Sequence, residues 1–375
     1  MRTIILKENF KEGLGAVGRI AQKNLSLPIL NSVLLSCEKN FICLKATDLE
    51  MGMKWWILSK VEKEGRVACS LKVLQSLIDS LPAEKLSLKA EEKRLLLEAD
   101  GFRAQINSLD AEEFPIIPEP EGEISFVIKN SQFIEGLSQV VEMTAVSLIK
   151  PEISGVHFNL SGNQFKMVAT DSFRLAEKTI SLDKKLEKEA SFILPQRACR
   201  EIINAFGERE ENLRFYLSPN QIVLESLMEE TPHPRVQFFT RLIEGEYPNY
   251  QEIIPKEFRF KAFLQKNEFL QRLKAVSLFS NKINEVKIKI SSERQEIELE
   301  GQNPEVGQSS SVFSARIEGE KEAMEVSFNW RFLVDGLNQI RDKEFVLALS
   351  KDEGPAVMKP KEESGYLYLL MPLRI

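Results

Sequence analysis

The sequence predicts an α+β protein of three topologically similar domains, each with two helices packed on antiparallel sheet. Two observations carry this. An amphipathic helix opens three times on one pattern, Asn9-Phe10-Lys-Glu-Gly-Leu14, Gln132-Phe133-Ile-Glu-Gly-Leu137 and Glu268-Phe269-Leu-Gln-Arg-Leu273, with the Phe residues 123 and 136 positions apart in a chain of 375. A repeat with a period near one third of the chain constrains architecture more than any single motif. Two Pro-rich junctions, Phe114-Pro115-Ile116-Ile117-Pro118-Glu-Pro120 and Tyr247-Pro248-Asn-Tyr250-Gln-Glu-Ile253-Ile254-Pro255, each precede a copy of the helix. Proline fixes φ and removes a donor, so both read as extended linkers. The expected domains are 1–121, 122–256 and 257–375.

Each domain runs in the same order. A strand (Thr3 to Leu6; Ile124 to Ile128; Phe258 to Phe263) leads into the Phe-containing helix. Alternating strands follow, such as Gly155 to Leu160 and Val286 to Ile290. A shorter helix comes next, over Leu71 to Ile78, Arg197 to Ile203 and Arg331 to Leu337, with apolar residues at helical spacing. Further strands, among them Arg94 to Glu98, Gln221 to Glu225 and Tyr366 to Leu370, close each domain. A turn also recurs: Ala46-Thr47-Asp48-Leu49-Glu50-Met51 matches Ala169-Thr170-Asp171-Ser172-Phe173-Arg174, and the third copy has Gly301-Gln302-Asn303-Pro304-Glu305. Thr-Asp and Asn-Pro favour turns through side-chain bonds to the backbone.

Composition excludes several classes. Apolar content of 43% and charged content of 28% are those of a globular protein. No apolar run approaches the roughly 20 residues of a membrane span, and the charged start Met-Arg-Thr-Ile-Ile-Leu-Lys-Glu does not read as a signal peptide, so a cytoplasmic location is expected. Cys37, Cys43, Cys69 and Cys199 form no Cys-x-x-Cys pair and only two His are present, so buried reduced thiols are expected, with no metal and no cofactor. Gly13-Leu14-Gly15-Ala16-Val17-Gly18 matches a dinucleotide fingerprint. Its counterparts, Gly136 to Val141 and Arg272 to Ser277, lack the glycines. A phosphate cradle would not sit within a repeated structural helix, so small residues on a helix face are expected. Asp48, Glu50 and Asp171 are expected to cap turns, not to form an acid/base pair, and no Ser, Cys and His grouping supports nucleophilic catalysis.

The net charge of −6 argues against a polyanionic partner. Its distribution does not. Predicted helices over 7–24, 70–80, 129–147, 195–206, 265–282 and 329–341 carry +6 together, leaving −12 for the rest. Two readings stand: a positive helical surface for phosphates, or ordinary charged helix faces. The apolar end Leu367 to Ile375 also has two readings, a plain edge strand or a docked strand whose tip lines an apolar groove.

Six segments in register resemble one family: Leu27-Pro28-Ile29-Leu30, Ala46 to Met51, Phe114-Pro115, Val168-Ala-Thr-Asp-Ser-Phe-Arg-Leu175, Gly245-Glu-Tyr-Pro-Asn-Tyr250 and Met371-Pro-Leu-Arg-Ile375. Together they are similar to the bacterial DNA sliding clamps, the beta subunits of the replicative DNA polymerase, over the whole chain. The resemblance implies the DNA clamp fold, a head-to-tail homodimer closed into a ring around double-stranded DNA, with helices inward and sheets outward. It implies a processivity factor without catalytic activity, which binds DNA irrespective of sequence and tethers the replicative polymerase, the clamp loader and other proteins carrying a clamp-binding peptide. The alternatives are a nucleotide-dependent enzyme built on Gly13 to Gly18, and a peptide-binding scaffold that leaves DNA alone.

The resemblance also implies sites. The peptide groove would be walled by Ile153, Thr170, Ser172, Phe173, Arg174 and Leu175, by Pro248 and Ile253, and by Leu369, Leu370, Met371, Pro372, Leu373, Arg374 and Ile375. Phe173 stands where a well-studied member has His, and Glu252 where it has Arg, so the rim is less basic here. DNA-facing positions would be Lys72, Arg197 and Lys150. Asn24 takes a place that is Arg in some members, with Lys23 beside it. Leu278 and Phe279 would pack on the first domain of the other chain, against Arg103 and Ile106.

Overall fold

The computed structural model describes every residue except 22–25, 148, 186–187, 208, 230, 351–353, 363–364 and 375. Lys23, Asn24 and Ile375 therefore lie outside the described residues. Contacts gather into two compact units, Met1–Glu135 with Arg197–Ile243, and Gly136–Gln196 with Glu244–Ile375.

Six α-helices occur among the described residues: α1 (Lys7–Gly18), α2 (Leu71–Ser80), α3 (Asn130–Val140), α4 (Gln196–Phe206), α5 (Lys266–Ser277) and α6 (Trp330–Gln339). They are the repeated pairs expected from the sequence. Phe10, Phe133 and Phe269 are all fully buried, which is the physical reason the pattern recurs. Phe133 sits edge-on to Phe215 at 5.0 Å, and Phe269 edge-on to Phe345 at 5.4 Å. The glycine fingerprint dissolves into this packing. Gly13 faces the sheet, and a Cβ there would come within 2.7 Å of Leu44 and 2.9 Å of Trp55. At the equivalent Gly136 a Cβ would meet Met167 at 2.2 Å. In the third copy Arg272 instead swings over the Phe313 ring at 4.9 Å and pairs with Glu268 at 2.8 Å.

The helices are shorter than the sequence suggested, and this corrects the charge partition. α1 stops at Gly18, α3 at Val140 and α5 at Ser277. Arg19 and Arg341 thus fall just past C-termini, where the helix dipole favours cations, while Lys282 lies in the turn beyond α5. Within the observed bounds the six helices carry +2, not +6. The third leading strand likewise begins at Phe260, not Phe258.

Sheet organisation differs between the units. The first holds one 13-stranded sheet, in which strand Pro234–Arg241 pairs with strand Met51–Leu58. The second holds a nine-stranded sheet, in which strand Tyr366–Leu370 pairs with strand Arg174–Ser181, and a separate four-stranded sheet. The apolar C-terminal run is thus an interior strand. All four cysteines are buried thiols, and burial pushes Cys43 and Cys69 up to about 12. Among the described residues no helix is long and apolar enough to cross a membrane, and no His, Cys, Asp and Glu grouping could hold a metal ion.

Candidate partner groove and nucleic-acid surface

The groove residues begin at the recurrent turn, which is the same in both copies atom for atom. Thr47 Oγ1 donates to the Met51 carbonyl at 2.8 Å, while Asp48 Oδ1 accepts from the Glu50 and Met51 amides at 3.0 and 2.8 Å. Thr170 Oγ1 donates to the Arg174 carbonyl at 2.7 Å, and Asp171 Oδ1 accepts from Phe173 and Arg174, each at 3.0 Å. Both turns force a positive φ, 79° at Leu49 and 77° at Ser172. Asp48 and Asp171 cap turns, as the sequence predicted; Glu50, expected to do the same, instead faces Arg241 at 3.9 Å.

The free oxygen of each Asp takes an arginine. Asp171 Oδ2 holds Arg174 Nε at 2.8 Å; Arg174 also pairs with Asp335 and lies 4.5 Å over the Phe332 ring. Asp48 Oδ2 holds Arg197, whose other nitrogen reaches the Ile20 carbonyl at 3.3 Å. Arg197, read from sequence as DNA-facing, is thus engaged within its own unit, and a phosphate there would compete with Asp48.

The second unit assembles most of the predicted groove. Val168, Leu175, Tyr250, Ala348, Val357 and Leu369 form a buried cluster, on which Tyr247, Ile254 and Met371 are half-buried. The Met371 amide donates to the Phe173 carbonyl at 2.8 Å, and the Leu373 amide to Ser327 at 2.8 Å, so residues 371–373 lie beside the turn. Phe173 is 62% exposed and Ile253 47% exposed, with Pro248 exposed as well. Thr170, Leu175, Leu369 and Leu370 are buried; Pro372 and Leu373 are half-buried, and Ser172 and Arg374 exposed. Ile153 is buried as well, at 4% exposure, and its carbonyl accepts from the Ala145 amide.

Under the groove wall His157 stacks on Tyr247 at 4.6 Å, and its Nε2 lies 2.8 Å from Ser191 Oγ. Burial pulls the imidazole down to about 4, so it is neutral. Tyr250 donates to Glu177 at 2.7 Å. Sequence reasoning passed over His157 because a lone His in an alternating strand carries no motif.

Among the other predicted positions, Lys72 and Lys150 are exposed. Lys72, Arg197 and Arg331 are each the second residue of their helix. A cation there opposes the helix dipole; Arg331 lies over the Trp330 ring at 5.5 Å. At the expected interface, Leu278 is 74% exposed and Phe279 half-buried. Arg103 is exposed and pairs with Glu98 at 3.1 Å. Ile106 is buried at 7% because its side chain points to the inner face of strand Phe102–Leu109, so it is a core residue.

Helix pairs on extended antiparallel sheets, repeated along one chain, define the DNA clamp fold. Three family models match in succession: the DNA polymerase III beta subunit N-terminal domain over residues 1–118, its central domain over 127–249 and its C-terminal domain over 251–374. The beta sliding clamp of Synechococcus elongatus is 25% identical over 383 residues, covering 100% of both chains, and that of Staphylococcus epidermidis is 23% identical over 384 residues, covering 100% of this chain and 99% of the relative. Among solved structures, the DNA polymerase III beta subunit of Thermotoga maritima superposes with a TM-score of 0.89 at 25% identity, covering 100% of this chain and 99% of that one. A Pseudomonas aeruginosa clamp bound to griselimycin superposes at 0.93 with 21% identity, over 100% of both chains. The chain belongs to the DNA polymerase III beta subunit family, the bacterial sliding clamps. Members are non-catalytic processivity subunits of the replicative polymerase.

Proposed function

We propose that two copies of this chain, each of three domains over 1–121, 122–256 and 257–375, close head-to-tail into a ring around double-stranded DNA in the cytoplasm. The observation that carries this reading is the succession of three beta-subunit models along the whole chain. Each unit also offers a free edge. Strand Gly307–Ser314 is the outer strand of its sheet, with Val306 and Val312 exposed. Strand Phe102–Leu109 meets its neighbour Gly65–Ser70 only at Leu109 and Ser108, leaving the rest of that side unpaired, with Phe102 exposed. Unpaired edges of this kind pair with another chain. Leu278 and Phe279 add apolar surface to the junction, with Arg103 on the facing side.

The ring holds DNA by topology, so contacts need only be weak and to phosphate. Lys72 and Lys150, with the helix-end Arg19 and with Lys282, supply such charges. Once tethered, a polymerase rebinds before diffusing away, which is an effect of local concentration. The tether is a short peptide from the polymerase, the clamp loader or another partner, seated in the apolar groove beside Phe173, Leu175, Ile253 and Met371.

Two measurements test this. Sedimentation at micromolar concentration should give a dimer, and Leu278→Ala with Phe279→Ala should shift it toward monomer. On circular plasmid the loaded protein should remain bound and should leave when the circle is cut. Retention on linear DNA, or a monomer at every concentration, would sink the ring.

A further inference from the structure

A short peptide seated beside Phe173, Leu175, Ile253 and Met371 extends past its apolar anchors onto the surrounding surface. Resting on the groove reading, we propose that the occupant is a peptide whose apolar anchors adjoin basic residues, and whose side chain against Phe173 is apolar. The wall over residues 244–257 carries exposed Glu244, Glu246, Glu252 and Glu257 against a single cation, Lys256. Glu152 joins them, since a Cβ on Gly245 would lie 3.7 Å from its own Cβ. Asn249 donates to Glu252 at 2.7 Å, which orients that carboxylate without neutralising it.

Carboxylates beneath the wall are already engaged. Asp171 and Asp335 hold Arg174, and Glu177 accepts from Tyr250 and pairs with Lys166 at 3.7 Å. Among the described residues no ion pair joins Glu244, Glu246, Glu252 or Glu257 to a cation. Their field is therefore open to a ligand, with exposed Lys256, Lys150 and Arg374 opposing it. Like charge brought beside this wall is penalised and opposite charge favoured, the usual source of selectivity at a polar rim. At the turn the rim is different in kind. Phe173 exposes an aromatic face, and a polar partner group laid on it would lose its water without gaining a hydrogen bond.

The test uses the full chain and three fluorescent peptides sharing one Leu- and Phe-containing core, with a Lys-Arg flank, a Glu-Asp flank or a neutral flank. Anisotropy at low salt should rank them basic, neutral, acidic, with basic and acidic about tenfold apart, since exposed pairs are each worth only a few-fold. The gap should close in ~1 M salt, where screening shortens to about 3 Å. Glu246→Lys with Glu252→Lys should reverse the ranking. Phe173→Ser should weaken all three peptides by a similar factor. Equal affinities, or tightest binding of the acidic peptide, would overturn the inference and leave the groove intact. Failure of all three peptides to bind would overturn both.

Discussion

At the first junction the linker closes over its own turn, and at the second the same backbone leaves an apolar rim in solvent. The two are built alike. The Arg241 amide donates to the Glu50 carbonyl at 2.9 Å as the Met371 amide does to Phe173 at 2.8 Å. Phe114 and Ile117 bury against Leu34, Val223 and Phe239, much as Tyr247 and Tyr250 pack with Val357 and Leu369. Even the latch recurs with opposite polarity. Lys54, 3% exposed, reaches Glu119 at 2.7 Å, while Glu177, at the matching place, accepts from Tyr250.

The difference lies in a few side chains. At the first rim Glu50 faces Arg241 at 3.9 Å, two charged groups that water solvates well. At the second, Phe173 and Met371 take those places. Gly52 lets Ile117 approach to 3.2 Å of where a Cβ would be; the second junction has Leu175 there. Apolar surface is therefore left in solvent at one junction and not the other, which is why the proposed partner groove falls at the second.

The largest expected contrast is in stability. Ile117→Ala removes a buried side chain and should cost about 2–5 kcal/mol in urea unfolding. Ile253→Ala, on the exposed rim, should change stability by about 0.5 kcal/mol or less. Equal costs would break the distinction between a filled and an open junction.

Next comes pH. His157 has Leu34 as its counterpart in the first unit. Its folded pKa, about 4, lies below the ordinary 6.5, so the unfolded chain binds the proton more readily. The stability it allows is complete above pH 6.5 and is lost as pH falls toward 4, by up to about 3 kcal/mol. His157→Leu should flatten that part of the profile, as seen in melting temperatures between pH 7 and 4.5. An unchanged slope would assign the acid sensitivity elsewhere.

Smaller still is the effect of recharging the rim. Phe173→Glu with Met371→Arg copies the first junction onto the second and should weaken peptide binding by about 2 kcal/mol, some 30-fold, with folding preserved. Retained binding would show that the rim is not what distinguishes the junctions. The smallest change concerns the shared turn. Leu49 holds a left-handed φ of 79°, so Leu49→Gly should stabilise by about 1 kcal/mol in thermal melts. Ser172→Gly should gain a similar amount, since its φ is 77°.

Much of this was legible in the sequence. The six helices and the recurrent Thr-Asp turn follow from patterns of three or four residues, because local hydrogen bonds and periodic burial set them; the second Pro-rich segment, expected to be extended, instead holds a 3-10 turn over Tyr250–Ile253. The predicted positive charge of the helices shrank from +6 to +2. Helix ends depend on where carbonyls find caps, and Arg19, Lys282 and Arg341, expected inside helices, lie outside them. The turn and the C-terminal strand were legible, yet Ile106, expected at an interface, is buried in the chain's own core. Apolar character alone cannot say which side of a strand or loop meets solvent.

What the sequence by itself determined is the repeat and hence the family, because buried Phe10, Phe133 and Phe269 each demand the same helix on the same sheet. What only the tertiary structure decided is the pairing of distant groups: Arg197 with Asp48, His157 under Tyr247, and Met371 beside Phe173. Those contacts join residues between about 90 and 200 positions apart. No local pattern encodes them, since they exist only once the sheets have brought the strands together.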